Sequence, residues 1–205
     1  MCYNARVSAG TFLFVAAVTA YLWSRNRGID RPLGLMLLVV AVMQLLEWGL
    51  WLSVPGCNWL NKLITAIIPI YLVLQPVALN WIVGSYDAGW GTGYKTVAAV
   101  AAATMLPYQL YRAADSYGDC SYVEARSGHL VWKGLPLKRA ISLVYYPTLI
   151  YPFLTLKNSP FAILYLFFAA LSHGIFKSQE SKSWPSLWCH FANTLAAFAV
   201  VRPSP

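Results

Sequence analysis

A chain of 205 residues would suit one or two soluble domains, but its composition excludes a soluble surface. Hydrophobic residues make up 59% and charged residues 11%, against about 25% charged in soluble domains, so the surplus apolar area must face lipid. Mean hydropathy is +0.54. The net charge of +8 does not imply a nucleic-acid partner, because basic residues and tryptophans (Trp23, Trp51, Trp59, Trp81, Trp132, Trp184 and Trp188) cluster at the ends of apolar runs or in loops. That is where snorkelling cations and interfacial indoles belong, and the partner they imply is the bilayer.

A hydrocarbon core of about 30 Å asks for about 20 apolar residues per helical span. Seven segments approach that length, over about 7–24, 33–54, 62–84, 95–111, 139–156, 159–176 and 184–201. The pattern predicts an all-α, polytopic transmembrane bundle of seven helices forming a single domain over residues 1–205. The first run, Val7 to Trp23, ends in Trp-Ser-Arg rather than a small-residue cleavage site and is expected to stay as the first helix. The loop that follows carries Arg25, Arg27 and Arg31, which under the positive-inside bias places the amino terminus outside the cytoplasm. Lys62, Lys177 and Lys182 pull the other way.

The second span carries Gln44, Glu47, Trp48 and Trp51, whose spacing of i, i+3, i+4 and i+7 predicts one shared helical face. Glu47 is the sole acidic residue well inside any predicted span. A carboxylate there costs about 2.5–3.5 kcal/mol on insertion scales, so it should face the interior or a cavity, as a solute, proton or cation site or as a packing group bonded to Gln44. In the third span, Pro69 and Pro76 interrupt the run, with Gln75 and Asn80 flanking the second. Pro107 falls in the fourth span, and Pro147 and Pro152 in the fifth. These prolines fit either the broken helices of a transporter around a midplane site or ordinary kinks whose freed carbonyls neighbours re-satisfy.

The polar segment 112–138 is the sole sizeable predicted non-membrane stretch and is expected to cap the bundle. With the amino terminus outside, all four cysteines, Cys2, Cys57, Cys120 and Cys189, fall at or near that face, where an even count invites a disulfide reading. Cys57–Cys120 is the favoured pair, since it would clip the long loop to the bundle. His129, His173 and His190 map to the same side, and Cys, His and Glu are ligand types that zinc accepts. Cys2, Cys189, His129 and Glu47 are therefore the candidate ligands for zinc or copper, although no spacing among them is diagnostic. The last span holds no lysine, which excludes a retinal Schiff base there. No motif specifies a reaction.

Met1-Cys2-Tyr3-Asn4-Ala5 followed by Ser8 resembles the start of an uncharacterised family of multi-pass membrane proteins that begin Met-Cys-Phe-Ser-Ala with a further serine shortly after. Gln44-Leu45-Leu46-Glu47-Trp48-Gly49-Leu50-Trp51 is similar to that family's Gln-x-x-Glu-Gly-x-x-Trp stretch, and Ser186-Leu187-Trp188-Cys189-His190-Phe191 to its Ser-x-Trp-Cys-Phe-Phe ending. His129 after Gly128 corresponds to a Gly-His ahead of the fifth helix. Departures at Tyr3, Asn4, Trp48 and His190 mark a divergent member. The resemblance implies a seven-span bundle and carries no activity. Its matched residues Cys2, Glu47 and Cys189 are those the predicted topology gathers on one face. The expected functions are a small-solute or ion transporter or sensor, a metal- or thiol-dependent intramembrane enzyme, or a structural membrane protein without chemistry.

Overall fold

A computed structural model describes residues 4–86, 91–133, 139–155 and 195–201. The chain is mostly helical. In order, the described elements are α1 (Ala5–Arg25), α2 (Asp30–Ser53) with a 3-10 turn (Val54–Gly56), α3 (Trp59–Tyr86), α4 (Gly91–Asp115), β1 (Tyr122–Val123), β2 (Leu130–Val131), α5 (Arg139–Thr155) and α6 (Leu195–Val201).

The helices overrun the apolar runs because polar caps fix their ends. Asn4, in extended backbone, accepts a hydrogen bond from the Val7 amide at 3.0 Å and starts α1, while Asn26 in the left-handed region stops it. Asn58 Oδ1 accepts from the Leu60 and Asn61 amides and starts α3 ahead of its apolar stretch. At 28 residues α3 is about 42 Å long, more than the hydrocarbon thickness.

α1 and α2 form an antiparallel hairpin, with the Thr19 hydroxyl donating to the Gly34 carbonyl at 2.9 Å. α3 sits centrally, packed on α2, α4 and α5. At the end of α3 a Cβ on Gly84 would lie 2.9 Å from the Tyr94 Cβ and 3.1 Å from the Gly91 carbonyl, so glycine lets the backbones of α3 and α4 meet. α5 runs parallel to α3, since Tyr145 meets Gln75 and Thr148 meets Asn80. The buried core runs through Leu22, Leu33, Met43, Ile68, Leu79, Met105 and Phe153.

Three helices among the described residues are long and apolar enough to cross a membrane: α1, α2 with its 3-10 turn, and α3. The described residues thus support three of the expected seven spans. α4 has the length, but Lys95, Gln109 and Arg112 dilute its hydropathy, and α5 is described over 17 residues. The predicted span 159–176 and all of 184–201 except Leu195–Val201 lie outside the described residues.

The prolines also depart from a broken-helix reading, because α3, α4 and α5 run unbroken through Pro69, Pro76, Pro107, Pro147 and Pro152. The loop expected to cap the bundle contains the β1–β2 hairpin, paired Tyr122 to Val131 and Val123 to Leu130, with Leu130, Val131 and Trp132 buried. Aromatic residues line both ends. Trp23 and Trp81 are exposed at one, carrying Arg31 and Lys95 over their rings at 5.1 and 5.5 Å. Trp59 and Tyr117 are exposed at the other, which is the distribution of interfacial belts.

Candidate functional site

α2 buries its polar pair inside one of the most apolar elements of the chain. Glu47 and Gln44 are both fully buried, and Gln44 Nε2 donates to Glu47 Oε2 at 2.9 Å. The pair spans one helical turn, and Glu47 lies six residues, about 9 Å, from the Ser53 end of α2. Trp51 packs half-buried against the core one turn further on. Trp48 does not share this face: it is 39% exposed, because the 100° step from Glu47 swings it outward. The face expected from the i, i+3, i+4, i+7 spacing is therefore Gln44, Glu47 and Trp51.

A second polar set joins α3 to α5. Tyr145 donates its hydroxyl hydrogen to Gln75 Oε1 at 3.0 Å, both residues being buried. Asn80 Nδ2 donates to the Pro76 carbonyl at 2.8 Å and to the Thr148 carbonyl at 2.7 Å. The Thr148 bond has a clear cause. Pro152 lies four residues beyond Thr148 and has no N–H to give it, so the α3 amide supplies the missing donor. Gln75 and Asn80 thus serve the interface between two proline-containing helices, not the α2 pair.

The end of the bundle that holds Asn4 is closed by the cap. Cys57 and Cys120 are disulfide-bonded, with Cα atoms 5.6 Å apart, which ties the turn after α2 to the long loop. Beside them Asn61 Nδ2 donates to the Ser121 carbonyl at 3.1 Å, and the Ser121 amide donates to Asn61 Oδ1 at 2.9 Å and Thr65 Oγ1 at 3.1 Å. All three side chains are buried. Sequence reasoning missed this network. Its signal was the i, i+4 pair Asn61 and Thr65 in the first turns of a membrane helix, four residues after a cysteine.

His129 is half-buried in the hairpin, its carbonyl accepting from the Glu124 amide at 2.9 Å and its amide donating to Ser127 Oγ at 3.3 Å. The metal-ligand set of Cys2, Cys189, His129 and Glu47 is not brought together by what the structure describes. Cys2 and Cys189, with His173 and His190, lie outside the described residues, and no group of three or more His, Cys, Asp or Glu among the described residues is placed to hold a metal.

At the opposite end Arg25 makes a bidentate ion pair with Asp30 at 2.7 Å for each bond, and Asp30 Oδ2 also accepts from the Arg27 amide. The same guanidinium donates to the Val200 and Ala199 carbonyls at the close of α6. Arg25 therefore fastens the α1–α2 turn to the last described helix. No family model, no curated protein and no solved structure matches the chain, so the likeness to the multi-pass family rests on its motifs alone.

Proposed function

We propose that this chain is a multi-pass integral membrane protein of seven spans that handles a small solute or ion, as a transporter or sensor, through the Gln44–Glu47 pair of α2. The reading stands on one observation: a carboxyl group with no exposed surface, set within a helix whose most apolar window has a mean hydropathy of 2.0. An ionisable group at such a depth is expensive and marks a solute or proton path by default. A packing role would be met at lower desolvation cost by a second amide, whereas a carboxyl adds a proton or a charge that an amide cannot carry.

Two signals favour an orientation. The Cys57–Cys120 bond belongs to an oxidising compartment, and the opposite end carries Arg25, Arg27, Arg31 and Lys95. They favour an amino-terminal end outside the cytoplasm, against the basic Arg6, Lys62 and Arg112 at that same end.

The test is ion flux in proteoliposomes containing a trapped pH dye, driven by a potassium–valinomycin potential. Wild type should move protons above the level of protein-free vesicles, and Glu47→Gln should lose at least tenfold of that flux while unfolding at a similar temperature. Equal flux in wild type and Glu47→Gln, or none above empty vesicles, rejects the reading.

A further inference from the structure

The end of the bundle that carries the α1–α2 turn holds more positive charge than the described chain neutralises. Among the described residues Arg25, Arg27, Arg31 and Lys95 meet a single carboxylate there, that of Asp30. Both Asp30 oxygens accept from Arg25, and Oδ2 also accepts from the Arg27 amide. Arg31 follows Asp30 in sequence but makes no ion pair among the described residues. Its guanidinium carbon lies 5.1 Å from the centre of the Trp23 ring, and its Nε is buried without a hydrogen-bond partner among the described residues. An aromatic face stabilises the positive charge but offers no lone pair, so the N–H is left in need of an acceptor.

The depth of this pair selects the acceptor. α1 has 21 residues and is about 31 Å long, and Trp23 lies two residues from its end. A helix of that length crossing the hydrocarbon sets Trp23 and Arg31 at the level of the headgroups. Trp23 is 45% exposed and presents apolar ring surface to lipid beside the cation. The anion that lipid offers at this level is the phosphodiester, whose oxygens fit the planar guanidinium fork. We propose that Trp23 and Arg31 form a site for the headgroup of an anionic phospholipid, with Arg31 donating to the phosphate and the Trp23 indole packing on the glycerol and first methylenes. A zwitterionic lipid also carries a phosphate, but its ammonium group would meet the surplus positive charge of this end. Lys95 over the Trp81 ring at 5.5 Å repeats the arrangement on α3 and α4. There the cation is exposed and has no fork, which makes it the weaker contact. The inference rests on the chain crossing a membrane and is independent of the role given to Glu47.

The purified full chain in detergent is titrated with phosphatidylglycerol or with phosphatidylcholine of the same acyl chains, and bound lipids are counted by native mass spectrometry. The first phosphatidylglycerol should bind about fivefold tighter than the first phosphatidylcholine, or more. Arg31→Gln should remove that preference, while Lys95→Gln should change the first affinity by less than about twofold. Arg31→Lys keeps the charge without the fork and should weaken phosphatidylglycerol binding about threefold. It decides the matter by itself if Arg31→Gln lowers the unfolding midpoint in lipid-free detergent. Equal affinities for the two lipids, a preference that survives Arg31→Gln, or an unchanged affinity in Arg31→Lys would each overturn the proposal. Inorganic phosphate that raises the lipid-free unfolding midpoint as far as phosphatidylglycerol does would overturn it by making the ligand a free anion.

Discussion

The two ends of the bundle are held by different chemistry. At the end carrying Asn4 and the cap, a disulfide and a neutral network of Asn61, Thr65 and Ser121 fix a loop onto α3. At the other, a single arginine joins α1, α2 and α6 through one carboxylate and two main-chain carbonyls. The first solution suits an oxidising compartment, where a covalent clip persists. The second needs no oxidant, and its cation meets the carbonyl end of a helix, where positive charge is favoured. The contrast shows that neither end is simply a solvated loop, and it makes the ends separable by mutation.

The largest effect is expected at the arginine end. Asp30 has no exposed surface, while its Arg25 partner is part-buried, so the upper end of the cost is set by the carboxylate side of the pair. Asp30→Asn leaves the guanidinium without its counter-charge, and removing one partner of a buried pair costs about 3–5 kcal/mol. Thermal unfolding in detergent should show a midpoint well below wild type. A change within about 0.5 kcal/mol would mean that water already screens the pair and that this end is no stronger than a surface ion pair.

Next comes the covalent clip. Replacing Cys57 and Cys120 together by serine opens a loop with a sequence separation of 63 residues and should cost about 2–4 kcal/mol. Protease cleavage between 116 and 133 should accelerate, since the hairpin then hangs on its hydrogen bonds alone. Wild type treated with reductant should reproduce both effects, and Asp30→Asn should not change the cleavage rate. If reductant leaves cleavage unchanged, the neutral network holds the cap by itself.

These differences also explain which parts of the fold are legible in the sequence. Cysteine is rare and its chemistry specific, so the Cys57–Cys120 pair stands out from residue type and loop position. Glu47 stands out because a charge in an apolar run has few explanations, and Gln44 follows from helical spacing. Asn61, Thr65 and Ser121 are ordinary polar residues whose meaning lies in a contact across 56 to 60 positions. Hydropathy counts apolar residues and is blind to such partners. The same blindness places Trp48 beside Glu47, although the outward turn of α2 exposes it. It treats every proline as an interruption, although Asn80 supplies the donor that Pro152 lacks. Hydropathy also counts 95–111 as a short span, when Lys95, Gln109 and Arg112 make α4 less apolar than α1 to α3.

The smallest and most informative change is at Asn61, because its side chain matches a peptide group in both directions. Its Nδ2 serves the Ser121 carbonyl and its Oδ1 receives the Ser121 amide, so it docks the loop backbone much as a neighbouring strand would. Asn61→Ala strips the carbonyl of its donor but leaves the amide its bond to Thr65 Oγ1. A loss of about 1–3 kcal/mol follows, the cost of one unsatisfied buried acceptor. Thr65→Val should cost less, because the Ser121 amide keeps Asn61. Asn61→Asp retains the acceptor but turns a second oxygen toward the Ser121 carbonyl, so it should be no better than alanine. In Cys57→Ser with Cys120→Ser, Asn61→Ala should release the cap to proteases while the unfolding midpoint of the helical bundle moves little further. If the midpoint instead falls by the full sum of both losses, cap and bundle unfold as one unit, and the two ends are not independent fastenings.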